Sequence, residues 1–190
     1  MLHHLAVALG MLALSTLPAL SARPPVVQTC FTPSMDCTAV IVESIDKAKK
    51  EVLVQAYAFT SCPIIQAIGR AKERNLTVRV LLDRSNEWKR YVGAIAYLRE
   101  HGIEPKIDHE TSTKSKGRGI AHIKAVIIDR RVLLTGSFNF SKSAQDRNVE
   151  NLLIVRRRQT VREHLLQFEV RENGSRPAKQ TINIPPACST

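Results

Sequence analysis

The chain has 190 residues, 44% of them hydrophobic, and a formal net charge of +11. That length suits one domain with a proper core. The charge favours a polyanionic partner, nucleic acid or an anionic membrane surface, with general solubility as the plainer reading. Beyond the first two dozen residues no segment is apolar enough to span a bilayer, which excludes a multi-span membrane protein.

The chain opens on a segment of different composition. Residues 1–22 hold no Lys, Arg, Asp or Glu, and Leu5 to Leu17 is mostly apolar. Pro18 and Ala19-Leu20-Ser21-Ala22 follow. The pattern predicts a secretory signal peptide over 1–22, cleaved after Ser21 or Ala22. Its n-region has His3 and His4 but no Lys or Arg, so an uncleaved anchor is the alternative. The protein is expected to be exported, to the periplasm or beyond.

Downstream, helix-like and strand-like stretches alternate. Asp36 or Thr38 can cap a helix running to Lys50, with Val40, Ile41, Ile45 and Ala48 inward. Glu51 to Phe59 reads as a strand. Ser61, with Pro63 two residues on, opens a helix to about Asn75. Leu76 to Leu82 is a buried strand, Tyr91 to His101 a helix stopped by Gly102, and Ile103 to Ile107 a short strand. Asp108 to Gly119 is a polar loop carrying Lys114, Lys116 and Arg118. It either delivers positive charge beside His122 as a nucleic-acid contact or is simply solvated. Ala121 to Ile128 and Val132 to Ser137 form two strands about a turn at Arg130. Asn151 to Val155 is a further strand and Thr160 to about Asn173 a helix. Arg171 to Thr190 is a Pro-containing tail. The alternation predicts an α/β fold, a mixed β-sheet flanked by helices. The domain is expected over 23–175, with 176–190 as a C-terminal tail.

Four cysteines, Cys30, Cys37, Cys62 and Cys188, lie beyond the leader. An even count in an exported chain suggests disulfides, and four cysteines allow three pairings. Cys30 and Cys37 bracket a short loop with a proline, which favours that pair and leaves Cys62 with Cys188. Free buried thiols are the alternative. No His/Cys set has zinc spacing, so no metal is expected.

The densest chemistry lies in AHIKAVIIDRRVLLTGSFNFS, Ala121 to Ser141. Read as a strand, it puts His122 and Lys124 on one face and Ile123 and Ala125 on the other. A nucleophilic imidazole beside a fixed cation suits attack on a phosphodiester. Gly136 lets backbone approach closely, and Ser137 and Asn139 add two polar side chains on one strand face. Trp88 and Tyr91 could stack on bases or serve the core or a dimer contact. Arg156, Arg157 and Arg158 suit phosphate or a solvated corner. His101, His109 and His164 read as ordinary surface residues.

These positions resemble the signature of the phospholipase D superfamily, H-x-K-x4-D-x6-G-S-x-N, at His122, Lys124, Asp129, Gly136, Ser137 and Asn139. CFTPSMDC at Cys30 to Cys37, QAYAFTS at Gln55 to Ser61 and NVEN at Asn148 to Asn151 extend the likeness to the small bacterial endonucleases of that superfamily. The resemblance implies a phospholipase D-like fold and a metal-independent phosphodiesterase without cofactor. His122 would be the nucleophile. Lys124, Ser137 and Asn139 would hold the phosphate oxygens, and Glu150 would bond the far nitrogen of the imidazole. Asp129 and Gly136 would be structural. One motif per chain and no internal repeat imply a homodimer with a shared site. The expected substrate is nucleic acid, DNA or RNA. The alternative is a phospholipase D acting on membrane phospholipid head groups, although larger lipid-cleaving members carry two motifs and extra loops.

Overall fold

The structure, a computed structural model, describes residues 25–108, 119–180 and 186–188. The expected signal segment 1–22, His109 and the basic loop residues Lys114, Lys116 and Arg118 lie outside the described residues. The elements in chain order are β1 (Val27–Thr32), α1 (Cys37–Asp46), β2 (Glu51–Ala56), α2 (Cys62–Glu73) and β3 (Thr77–Asp83). A 3₁₀ turn (Arg84–Glu87) leads to α3 (Gly93–Glu100), β4 (Lys106–Asp108), β5 (Ala125–Ile128) and β6 (Val132–Gly136). Then come α4 (Lys142–Asp146), β7 (Glu150–Val155), α5 (Arg158–Asn173) and β8 (Arg176–Pro177).

The strands form one mixed sheet in the order β1-β7-β6-β5-β2-β3-β4-β8. β2, β3 and β4 run parallel, and every other neighbouring pair is antiparallel. Strand alternation divides the apolar residues between two faces. Val52, Val54, Val126 and Ile128 pack against α1, α2 and α3, while Leu53, Ala125, Ile127 and Leu133 pack against Val161 and Phe168 of α5. The α/β class therefore holds. Among the described residues no helix is long and apolar enough to cross a membrane.

Local chemistry sets the boundaries. Asp36 caps α1 by accepting from the Ala39 N–H at 2.8 Å. The helix stops at Asp46 rather than Lys50, because the N–H groups of Lys49, Lys50 and Glu51 donate to the Asp129 carboxylate instead of to helix carbonyls. β2 ends at Ala56, earlier than Phe59, and Phe59 instead bridges Phe140. The strand expected from Ala121 begins only at Ala125, whose partner across the sheet is Gln55. Once β2 turns away, the preceding residues have no strand to pair with. Both expected disulfides form, Cys30–Cys37 and Cys62–Cys188. The second ties the C-terminal tail to the start of α2, and β8 pairs that tail with β4.

Candidate active site

The topology brings the C-terminal ends of β2, β3 and β6 to the same end of the sheet as the starts of β5 and β7. Residues just outside the sheet there can share one solvent-facing cleft, as ligand sites commonly do. His122 and Lys124 lead into β5, Gly136 ends β6, and Glu150 opens β7. Tyr57 follows β2, and Asp83 ends β3.

His122 and Lys124 keep the expected alternation although they precede the strand. Ile123 packs with Ala125 and Ile127 on the α5 side, leaving His122 and Lys124 to the other. Asp83, 2% exposed, fixes the approach, because its carboxylate accepts from the Ala121 N–H at 2.8 Å and the Ser85 N–H at 2.8 Å. Tyr57 lies against both motif side chains. Its ring meets the His122 ring edge-on at 4.6 Å between centroids, and the Lys124 ammonium stands 5.3 Å from its centre. Lys124 is 6% exposed and donates from Nζ to the His122 carbonyl at 2.8 Å. An ammonium has three donors, so two remain for a ligand.

The charges tune one another. Burial, and then the Lys124 cation, hold the His122 imidazole below the ordinary histidine range, against a smaller pull from Asp83. Both effects favour the neutral ring, the form with a lone pair to attack. Burial also lowers Lys124, opposed by the charge of Glu150.

At the end of β6 the Ser137 and Phe138 N–H groups both donate to the Asn151 carbonyl of β7. Gly136 has φ +155°, and a Cβ there would lie 2.3 Å from the Asn151 carbonyl oxygen, so this position admits only glycine. Ser137 and Asn139 consequently lie past the strand rather than on it. They alternate with Phe138 and Phe140, both fully buried. The Ser137 hydroxyl accepts from the Asn151 N–H at 3.0 Å and keeps its own proton to donate. Asn139 Oδ1 is buried with no hydrogen-bond partner among the described residues, which is uncommon for a buried polar atom. Glu150 accepts from Asn148 Nδ2 at 2.9 Å. The expected Glu150–His122 bond is not made within one chain. Asp129 accepts from the N–H groups of Lys49, Lys50 and Glu51: burial opposes its ionisation, but these bonds outweigh it and hold the carboxyl below the usual carboxylate range.

Sequence reasoning missed Tyr57 and Asp83 as parts of the site, and it set aside His164. That residue lines a cleft of about 310 Å³ on the α5 face with Ile123, Thr135, Glu163 and Gln167, its Nδ1 3.0 Å from the Thr160 carbonyl. One cue for Asp83 was available, a carboxylate ending an apolar strand. Among the described residues, no group of three or more His, Cys, Asp or Glu side chains is placed to hold a metal ion.

Residues 41–171 match the family described as cardiolipin synthase, PLD-like domain. The sequence is 40% identical over 139 residues to the phospholipase D of Rickettsia felis, covering 73% of this chain and 66% of that protein. It is 34% identical over 131 residues to the human mitochondrial cardiolipin hydrolase, covering 68% of this chain and 48% of that one. The chain thus spans about two thirds of the rickettsial relative and about half of the human one. Among solved structures, Nuc from Salmonella typhimurium, a phospholipase D family member, superposes with a TM-score of 0.72 at 29% identity. It covers 81% of this chain and 98% of its own. NucT from Helicobacter pylori gives a TM-score of 0.74 at 22% identity over 80% and 98% of the two chains, a likeness of fold.

Proposed function

The chain belongs to the phospholipase D superfamily, and from that premise we propose that it is an exported phosphodiesterase cleaving nucleic acid without a metal, through a phosphohistidine at a site shared by two copies of the chain. The observation that carries this reading is the His122 ring and the buried Lys124 ammonium, both held against the Tyr57 ring at the end of the sheet.

In the first step a His122 nitrogen bonds to phosphorus, the P–O bond breaks, and the departing oxygen takes a proton from the imidazolium of the second copy's His122. In the second step that imidazole takes a proton from water as the water attacks phosphorus. The N–P bond breaks and His122 is restored. One imidazole cannot serve both sides of an in-line displacement, so a chain with one motif needs a second copy. Lys124 holds the non-bridging oxygens with its two free donors, joined by the Ser137 hydroxyl and the Asn139 amide. Glu150 makes no bond to His122 within the chain, and its assigned part is to orient an imidazole in the assembled pair. The net charge of +11, with Lys114, Lys116 and Arg118 as contacts, supports a polyanionic substrate. Two disulfides support an oxidising compartment.

The test is incubation of purified protein with plasmid DNA, RNA and phosphatidylcholine vesicles, each with and without EDTA. Nucleic acid should be cleaved in EDTA. Head-group release with nucleic acid left intact would assign the lipid reading, which the name of the rickettsial relative favours. Activity lost to chelator and restored by magnesium or zinc would overturn the metal-free scheme.

A further inference from the structure

One aromatic cluster beside the cleft has no part in the chemistry above. Trp88, the sole tryptophan, is 53% exposed. Its ring lies 27° from that of Tyr91, with centroids 6.4 Å apart. The Arg90 guanidinium stands over both rings, 5.5 Å from the Trp88 centre and 4.6 Å from the Tyr91 centre. The three side chains line a small cleft together with Tyr57 and Asn86. Tyr57 is the residue whose ring touches His122, so one aromatic ring separates the cluster from the proposed nucleophile.

The support beneath is rigid. Asn86, 1% exposed, donates from Nδ2 to the Tyr57 carbonyl at 2.6 Å and to the Asp83 carbonyl at 2.9 Å. The Trp88 N–H closes on the Ser85 carbonyl, and Glu87 is paired with Arg176. An exposed indole on so fixed a base forgoes burial that a large apolar ring would otherwise gain. Its sequence neighbours Lys89 and Arg90 are exposed cations, so the patch is aromatic and cationic rather than apolar. Planar rings with a guanidinium suit a planar base next to its phosphate, because stacking and charge then act on one nucleotide.

We propose that Trp88, Arg90 and Tyr91 form a stacking site for an unpaired nucleobase flanking the scissile phosphate. This rests on the nucleic-acid reading above, and the test separates the two. In a His122→Ala background, which prevents cleavage, single-stranded oligothymidylate is compared with an abasic strand of equal length. Oligothymidylate should quench Trp88 emission, and the abasic strand should bind without quenching. Trp88→Ala should weaken oligothymidylate binding about 5- to 150-fold. The salt slope should not change, because the phosphate contacts remain. Trp88→Phe should restore most of the affinity, which a folding defect would not allow. Equal affinity for both strands, unaffected by Trp88→Ala, would overturn the stacking site and leave the nucleic-acid reading standing. Failure of both strands to bind would overturn both. A blue shift of Trp88 emission on phosphatidylglycerol vesicles, with no response to either strand, would make the cluster a membrane contact instead.

Discussion

At the residue scale the site turns on a conflict between two basic groups. Lys124 must stay charged to hold phosphate, and its charge disfavours the imidazolium of His122. Burial acts in the same direction, so both effects keep the nucleophile neutral. Replacing Lys124 with Met removes the repulsion and leaves the burial. The His122 pKa, followed by NMR titration of its ring protons, should rise in Lys124→Met toward the ordinary value of about 6.5. In the wild type, cleavage should fall on both sides of the His122 titration, because the pair needs one neutral imidazole to attack and one imidazolium to protonate the departing oxygen. An unchanged or lower pKa in Lys124→Met would mean that burial alone sets it. The pair itself was legible as H-x-K, because alternation survives in extended chain even outside a strand. Tyr57 and Asp83 were not, because they join His122 only through the pairing of β2 with β3 and β5.

At the element scale the turn between β5 and β6 does more than reverse the chain. Asp129 and Arg130 both have positive φ, 50° and 56°, the conformation of a tight hairpin turn. From that turn the Asp129 carboxylate collects the N–H groups of Lys49, Lys50 and Glu51 and so ends α1 some 80 residues earlier in the chain. Asn tolerates the same backbone but loses the charge and one acceptor. Asp129→Asn should therefore cost about 1–3 kcal/mol at pH 7. The folded carboxyl lies below its unfolded value of about 3.9, so its contribution is present above that pH and is lost as pH falls through the folded value. Denaturant unfolding at pH 7 and in acid should show the gap between wild type and variant closing in acid. A gap of equal size at both would place the cost in the turn backbone. The long-range hold also explains why the end of α1 was misread, while its start at Asp36 and that of α2 at Ser61 were legible from local signals. β1 escaped notice because Val27, Gln28 and Thr29 are exposed at the sheet edge and give no apolar alternation. β8 has only two residues, and its strand character comes from pairing with β4.

At the scale of the whole molecule, one chain supplies one motif imidazole and the proposed reaction uses two. Apolar side chains left exposed close in sequence to the site residues support a second copy. Ile120, two residues before His122, is 49% exposed, and Val149, next to Glu150, is 87% exposed. An isologous pair would cover such residues and place both His122 rings at one site. Wild-type subunits mixed with His122→Ala subunits, under conditions that allow exchange, test this directly. A heterodimer keeps one imidazole and cannot both attack and protonate, so activity should follow the square of the wild-type fraction. An equal mixture should retain about one quarter of the all-wild-type activity, where independent sites would retain about one half. Val149→Lys should weaken association in sedimentation and lower activity in parallel, with recovery at high protein concentration as the dimer re-forms. Activity in simple proportion to the wild-type fraction, or a fully active monomer, would return both steps to a single chain.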